Sequence, residues 1–180
     1  MSKHVLVVSS SPRKGQNTDL VTDAFIKGLE SAGHTAYKLN VGTTKVNGCI
    51  HCMQCYKNGP CAQKDGMTPF YEEYEKADMV VFASPIYFWH INAQMKAAID
   101  RMYALYIGKR LVKKETAMIL VAGAPEESVF KNALEFYNDV IIGQLGWQDK
   151  GTFFVNGTTR PGYDIESYLK KAFDFGASIK

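Results

Sequence analysis

The stretch that decides the fold reads Val5-Leu6-Val7-Val8-Ser9-Ser10-Ser11-Pro12-Arg13-Lys14-Gly15-Gln16-Asn17-Thr18. It predicts a short buried strand, then a loop rich in hydroxyl and amide groups, and then a helix that starts at about Thr18. The free N–H groups and the positive dipole end of such a helix face any ligand beyond the strand. We interpret the loop as a phosphate site; the alternative is an ordinary turn in which Asn17 or Thr18 caps the helix.

Two motifs that are missing from this loop narrow the ligand. The sequence has no G-x-G-x-x-G here, so the pyrophosphate of a dinucleotide is not expected. It also lacks G-x-x-x-x-G-K-[ST], so a nucleoside triphosphate with magnesium is not expected either. A compact phosphate monoester, held by hydroxyl and N–H groups, remains as the predicted guest.

Length and composition indicate one domain that spans residues 1–180. The 180-residue chain is 46% hydrophobic and 22% charged, which is ordinary for a soluble globular protein. Its net charge of +3 is too small to indicate nucleic acid or an anionic membrane as a partner. No apolar stretch approaches the roughly 18 residues of a membrane span, and no signal peptide is recognisable. We therefore expect a cytoplasmic protein whose cysteines are thiols or ligands rather than disulfides.

Apolar runs and helix-period segments alternate along the chain. Strands are predicted at residues 5–8, 35–40, 79–83, 117–122 and 151–155, and helices at about residues 18–33, 69–76, 92–105, 128–145 and 165–177. This alternation predicts an α/β fold: a flavodoxin-like, doubly wound, five-stranded parallel sheet of order 2-1-3-4-5 with helices on both faces. Ligands of such sheets bind at the carboxyl ends of the strands.

Two further loops follow strands at that same edge. The loop after the third strand reads Ser84-Pro85-Ile86-Tyr87-Phe88-Trp89-His90-Ile91-Asn92, and the loop after the fourth reads Ala122-Gly123-Ala124-Pro125. Three consecutive aromatic residues suit the wall of a flat ligand, although they are also compatible with covering a helix end or a subunit interface. Asn92 is a reasonable N-cap for the helix that follows. Together the three loops favour a planar, phosphorylated cofactor, and FMN fits better than an adenine nucleotide.

Several motifs closely resemble those of the NADPH-dependent FMN reductase family. They are Ser10-Ser11-Pro12-Arg13-Lys14 with Asn17-Thr18, Ser84-Pro85-Ile86-Tyr87 with Ala93-Gln94-Met95-Lys96, and Asp100-Arg101. This flavodoxin-like superfamily contains quinone reductases, azoreductases and iron–sulfur flavoproteins. One departure is Gly15-Gln16, where relatives usually have Asn-Gly. We expect Asp100 and Arg101 to close a helix, paired with each other or with a nearby helix end.

The resemblance implies where FMN binds. Its phosphate would lie against Ser9, Ser11, Arg13, Asn17 and Thr18. Its isoalloxazine ring would lie against Pro85, Ile86, Tyr87, Phe88 and Trp89, with Ala122 and Gly123. No side chain is an obvious catalytic acid or base, as expected where hydride transfer to a cofactor dominates.

The four cysteines form one compact cluster in the sequence. Cys49, Cys52, Cys55 and Cys61 follow the spacing C-x2-C-x2-C-x5-C, and its first part resembles the opening of cluster-binding runs. The iron–sulfur flavoproteins of the resembled family imply a [4Fe–4S] cluster that passes electrons to FMN. Structural zinc and metal-free thiols remain alternatives.

The sequence therefore predicts an FMN-dependent NAD(P)H oxidoreductase. NAD(P)H would be the electron donor, and the small-molecule acceptor would be a quinone, a flavin or a similar compound. An alternative is an iron–sulfur flavoprotein that carries electrons between protein partners, and a less favoured one is a flavin-free regulatory binder. The exposed aromatic loop and the fold together suggest a homodimer or homotetramer.

Overall fold

The computed structural model describes the backbone of residues 1–180 and the side chains of residues 1–57 and 59–180. Its strands are β1 (His4–Ser9), β2 (Thr35–Asn40), β3 (Met79–Tyr87), β4 (His90–Ile91), β5 (Glu115–Val121) and β6 (Gln148–Val155). Five of them run parallel in the order β2-β1-β3-β5-β6, and β4 pairs antiparallel with the end of β3. The sheet is thus the expected flavodoxin-like parallel sheet with helices packed against it.

The expected count of five strands is wrong, because the sheet has six. The additional strand, β4, is two residues long and arises when the chain reverses after Tyr87. Two residues are too few to show the alternation that marks a strand in a sequence. The predicted order 2-1-3-4-5 therefore becomes 2-1-3-5-6 when β4 is counted.

The helices are α1 (Asn17–Ser31), α2 (Gln54–Asn58), α3 (Thr68–Lys76), α4 (Ala93–Arg101), α5 (Tyr103–Ile107), α6 (Lys131–Phe136) and α7 (Ile165–Ser178). A 3₁₀ turn at Glu127–Phe130 leads into α6, and a π-helical segment, Tyr137–Gln144, continues it. The helix predicted over residues 92–105 is thus two helices, and α2 was not expected. As predicted, Asn92 is the N-cap of α4, because its side chain accepts a hydrogen bond from the N–H of Met95.

Two apolar layers sandwich the sheet. Alternate residues of β1 and β3, such as Val7 and Val81, pack beneath α1 and α7, while their neighbours pack beneath the other helices. Helices α1 and α7 approach so closely that a Cβ on Gly28 would lie 2.0 Å from the carbonyl oxygen of Phe173. This packing fixes the parallel strands, whose carboxyl ends and following loops therefore share one edge. No helix in the described part of the chain is both long and apolar enough to cross a lipid bilayer.

Candidate functional site

The first loop, residues 9–18, carries an unpartnered hydroxyl. Ser9 is fully buried, and its Oγ has no hydrogen-bond partner among the described residues. Ser11 is also buried, and its Oγ accepts a 3.2 Å hydrogen bond from the N–H of Arg13, whose side chain is exposed. A buried polar group without a partner costs about 1–3 kcal/mol of folding free energy. Ser9 therefore marks a position where a polar ligand group fits.

Helix α1 starts in this loop without a side-chain cap. Gln16 occupies the N-cap position, and its side chain makes no capping hydrogen bond to any described residue. Asn17 and Thr18 lie in the first helical turn, so neither is the N-cap residue. First-turn N–H groups have no acceptor within a helix, and they carry the positive end of its dipole. This helix end is suited to an anion.

Asp19 holds the tip of the first loop. Its carboxylate accepts 2.8 Å and 2.5 Å hydrogen bonds from the N–H of Gly15 and from Lys38 Nζ. Burial alone raises the pKa of Asp19, but these bonds and the charge of Lys38 outweigh it and lower the pKa below 3.8. The ion pair with Lys38 largely neutralises the carboxylate, so it does not repel an anion nearby.

The three consecutive aromatic residues lie on a tight hairpin. Tyr87 of β3 pairs with His90 of β4, and Phe88 and Trp89 form the turn. We call residues 85–91 the aromatic hairpin. Phe88 and Trp89 have φ angles of 49° and 62°, in the left-handed region that costs bulky residues about 1–2 kcal/mol each. Their side chains are 92% and 56% exposed. Backbone strain and exposed aromatic surface coincide here, which is typical of binding sites.

A cavity of about 450 Å³ joins the aromatic hairpin to the loop after β5. Its lining includes Ile86, Phe88, Trp89, Ala122 and Gly123. This volume lies within the range of about 300–1,000 Å³ that is typical of small-molecule sites. The two predicted loops thus meet in one cavity, whereas none of the described residues that line it belongs to the first loop.

The side chain and backbone of Asn92 connect the first loop to the end of β3, the strand that leads into the aromatic hairpin. Asn92 is 1% exposed, and its Nδ2 donates a 2.7 Å hydrogen bond to the carbonyl oxygen of Ser10. Its own N–H donates a 3.2 Å bond to Ser84 Oγ. One buried side chain therefore ties together the first loop, the end of β3 and the start of α4.

Two residues near these loops were missed in the sequence. A Cβ on Gly42 would lie 2.3 Å from the carbonyl oxygens of both Ser10 and Ser11, so only glycine allows this close approach. Thr159 donates a 2.9 Å hydrogen bond from its Oγ1 to the carbonyl oxygen of Gly123. Both contacts join segments that are distant along the chain, and no local motif signals them.

The cysteine loop, residues 48–62, gathers its thiols around a separate cavity. Cys49 and Cys52 are exposed and Cys55 and Cys61 are half-buried, and all four line this cavity. The volume of this cavity is about 20 Å³. Among the described residues, no three Cys, His, Asp or Glu side chains are placed to hold a metal ion. Four soft thiolates have the right chemistry for iron or zinc, but metal binding requires the loop to rearrange so that the thiols converge.

Arg101 has a different partner from the one expected. Asp100 pairs with Lys96 on the surface, at 2.6 Å, and does not pair with Arg101. Arg101 is 1% exposed and forms a bidentate ion pair with Asp65, with distances of 2.9 Å and 3.2 Å. Burial alone raises the pKa of Asp65, but the hydrogen bonds from Arg101 and from two backbone N–H groups outweigh it and lower the pKa. Asp65 lies far from Arg101 along the chain, so spacing gave no sign of this pair.

Comparison with known proteins identifies relatives of the chain. A family model described as NADPH-dependent FMN reductase matches residues 4–135. An iron–sulfur flavoprotein of Archaeoglobus fulgidus is 32% identical over 177 residues, which cover 96% of this chain and 76% of that protein. A second one, from Methanocaldococcus jannaschii, is 28% identical, and the match covers 78% of this chain and 73% of the relative.

Solved structures share the fold. An NAD(P)H:quinone oxidoreductase from Methanothermobacter marburgensis superposes with a TM-score of 0.77 at 19% identity, over 100% of both chains. An FMN-dependent NADH-azoreductase from Bacillus anthracis, solved in complex with FMN, gives a TM-score of 0.69 at 14% identity, over 97% of this chain and 96% of that one.

Proposed function

Because the chain belongs to the NADPH-dependent FMN reductase family, we propose that it is an FMN-dependent NAD(P)H oxidoreductase that reduces a quinone, a flavin or a similar small acceptor. The observation that carries this proposal is the sheet edge itself. An uncapped helix end and an orphaned buried hydroxyl follow β1, and a cavity walled by aromatic and small residues lies at the ends of the neighbouring strands β3 and β5. One planar, phosphorylated ligand satisfies both features.

The first loop would hold the FMN phosphate. The residues that we assign to this role are Ser9, Ser11, Arg13, Asn17 and Thr18. The unpartnered Oγ of Ser9 and the first-turn N–H groups of α1 are donors that lack acceptors among the residues that the structure describes. Arg13 is exposed beside them and supplies positive charge. A phosphate would accept from these groups, and the hydroxyl of Ser11 would exchange its 3.4 Å hydrogen bond to the carbonyl oxygen of Arg13 for one to the phosphate.

The aromatic hairpin and the loop after β5 would hold the isoalloxazine ring. The residues that we assign to this role are Pro85, Ile86, Tyr87, Phe88, Trp89, Ala122 and Gly123. Small side chains at Ala122 and Gly123 let a ring approach the backbone, while the exposed rings of Phe88 and Trp89 supply apolar surface. When bound, FMN supplies the redox chemistry, accepting hydride from NAD(P)H and passing electrons to the acceptor. The protein orients the ring and limits access of water to it.

A second function is favoured by the cysteine loop. Four thiols around one cavity, together with relatives named iron–sulfur flavoproteins, support a [4Fe–4S] cluster bound by Cys49, Cys52, Cys55 and Cys61. In that case the protein would carry electrons between protein partners. A steady-state assay separates the two functions, because a reductase consumes NAD(P)H when a quinone is present and an electron carrier does not.

The same reasoning extends to assembly and location. We propose that residues 1–180 act as a single FMN-binding domain and that copies of it form a homodimer or homotetramer, because Phe88 and Trp89 expose much apolar surface. Sedimentation of the FMN-loaded protein tests this, and a strictly monomeric profile contradicts it. Free thiols and the near-neutral charge support a cytoplasmic location without nucleic acid or membrane as a partner.

The decisive experiment for FMN is a titration of the Asn17→Ala/Thr18→Ala variant. Hydrogen bonds to a charged phosphate are worth about 1.5–3 kcal/mol each, so we expect the Kd for FMN to rise about tenfold or more. The matched control is Asn138→Ala/Thr35→Ala, which changes the same residue types at exposed positions away from the site. Equal FMN affinity in the two variants contradicts the phosphate assignment. A wild-type protein that binds no FMN contradicts the function.

A further inference from the structure

Arg101 joins the two ends of the cysteine loop. Its Nη1 donates 2.9 Å hydrogen bonds to the carbonyl oxygen of Asn47 and to Asp65 Oδ2. Its Nη2 donates 3.2 Å bonds to the carbonyl oxygen of Gln63 and to Asp65 Oδ1. Asn47 immediately precedes the loop, and Gln63 immediately follows it. One guanidinium at the end of α4 therefore closes the loop that carries all four thiols.

The remaining donor of Arg101 is unused. Its Nε is buried and has no hydrogen-bond partner among the described residues. Arg101 also lines the cavity that the four cysteines surround. A guanidinium cannot be deprotonated in a protein, so this N–H is a permanent donor on a permanent cation. A buried cationic donor without a partner, on a residue that lines this cavity, suits an anionic or electron-rich ligand.

The backbone of the cysteine loop points to the same kind of guest. His51 and Met53, on either side of Cys52, have φ angles of 51° and 57° in the left-handed region. The N–H groups of residues 48–53 donate to no described backbone carbonyl, and residues 48–52 are exposed, so these groups are open to a ligand or to water. Successive N–H groups in loops with left-handed residues can form concave anion sites, as at many iron–sulfur clusters. This strain is independent of Arg101.

We propose that Arg101 is a positioning residue for an iron–sulfur cluster bound by the four cysteines, and that its charge and Nε–H raise the reduction potential of that cluster. The inference rests on the cluster of the second proposed function. A cluster with four thiolate ligands is anionic and becomes more so on reduction, so a buried cation beside it favours the reduced form. Asp65 offsets part of that charge while it holds the guanidinium in place. Removing the charge of Asp65 should therefore shift the potential in the opposite direction from removing the guanidinium.

The test compares three variants of the full-length, FMN-loaded protein after anaerobic reconstitution with ferrous iron and sulfide. Arg101→Lys keeps a positive charge but loses Nε–H and the fork that closes the loop. Asp65→Asn keeps the shape of the partner and removes its charge. The matched control is Arg110→Lys, which alters an exposed arginine paired with Glu75 at 2.8 Å. The readouts are iron and sulfide per chain and the cluster's midpoint potential, followed by electron paramagnetic resonance.

We expect about four iron atoms per chain in the wild-type protein. Arg101→Lys should retain less iron, and the cluster that remains should be harder to reduce by about tenfold in equilibrium constant, which is about 59 mV for one electron. Asp65→Asn should shift the potential upward, and Arg110→Lys should match the wild type. A merely structural role for Arg101 would lower the iron content and leave the potential unchanged.

Three results overturn the proposal: a wild-type protein that binds no iron, an unchanged potential in Arg101→Lys, or an unchanged or lowered potential in Asp65→Asn. If Arg101→Lys does not fold, the Asp65→Asn potential decides alone. FMN titration of the same samples keeps the two proposals apart, because Arg101 lines the cysteine cavity and is not among the residues that line the proposed flavin cavity. A wild-type protein that does not bind FMN would contradict the oxidoreductase function, and the iron measurements would still test the role of Arg101.

Discussion

Asn92 Nδ2 donates a 2.7 Å hydrogen bond to the carbonyl oxygen of Ser10, and this bond joins two loops that are more than eighty residues apart. The same side chain caps α4 through the N–H of Met95. The geometry of the first loop therefore depends on a residue that would not itself touch the phosphate. Its loss should affect both the stability of the fold and the binding of the cofactor.

Asn92→Ala removes the cap of α4 and leaves a buried carbonyl without its donor. The cap is worth about 1 kcal/mol and the unsatisfied group about 1–3 kcal/mol, so we expect the free energy of unfolding to fall by about 2–4 kcal/mol. Urea denaturation measures this. Asp164→Ala is the matched control. Asp164 caps α7 through the N–H of Ser167, but unlike Asn92 it does not bond the first loop. A loss no larger than that of the control would show that the bond to Ser10 contributes little.

Gly42→Ala should distort the first loop. The added Cβ would lie 2.3 Å from the carbonyl oxygens of Ser10 and Ser11, so the loop must move. We expect FMN affinity to fall about tenfold or more, because a phosphate site depends on donors held in place. Gly48→Ala is the control, since nothing lies within 4 Å of its Cβ position. Equal Kd values for FMN in these two variants would remove Gly42 from the site.

Local patterns in the sequence predicted the parallel sheet and the three loops at its edge. Runs such as residues 5–8 and 79–83 are buried on both faces, and the helices between them restrict the topology to few choices. Adjacent strands then bring their loops together. Trp89 and Gly123 therefore line the same cavity, and the strand order alone predicts that they lie close to each other.

The features that were missed depend on contacts over long distances or on very short elements. Asp65 and Arg101 are buried together because the cysteine loop folds back onto α4, and neither residue's neighbours indicate this. Strand β4 has two residues and α2 has five, too few for a periodic pattern. The approach of Gly42 to Ser10 likewise depends on the course of the chain after β2.

The ion pair between Asp19 and Lys38 should make stability fall in acid. Although burial alone raises the pKa of Asp19, its hydrogen bonds lower it below the ordinary 3.8. A carboxyl with a lowered pKa in the folded state stabilises the fold fully above its unfolded pKa, and this contribution disappears as the pH falls through the folded pKa. We expect Asp19→Asn to be clearly less stable than the wild type at about pH 6, and this difference to be smaller at about pH 2.

Urea denaturation at the two pH values checks this. Asp23→Asn is the matched control, because Asp23 contacts the same lysine at 2.6 Å but is half exposed. Exposed ion pairs contribute about 0–1 kcal/mol, so the control should differ little from the wild type at either pH. A deficit in Asp19→Asn that persists unchanged in acid would rule out the charge of Asp19 as its cause.

The aromatic hairpin is expected to lower the stability of the fold and to strengthen FMN binding. Phe88 and Trp89 adopt left-handed backbone conformations that an Asn-Gly pair adopts with little strain. Phe88→Asn/Trp89→Gly should therefore raise the free energy of unfolding by about 2–4 kcal/mol. The same change removes the aromatic wall of the 450 Å³ cavity, so FMN should bind more weakly.

Phe88→Ala/Trp89→Ala separates these two effects of the hairpin. It removes both rings but supplies no residue that favours the turn, so we expect weaker FMN binding without the gain in stability. Urea denaturation of the FMN-free proteins measures the backbone effect, and FMN titration measures the contribution of the rings. If Phe88→Asn/Trp89→Gly is no more stable than the double alanine variant, the turn stores no strain. If both variants bind FMN as tightly as the wild type, the rings do not contact the flavin.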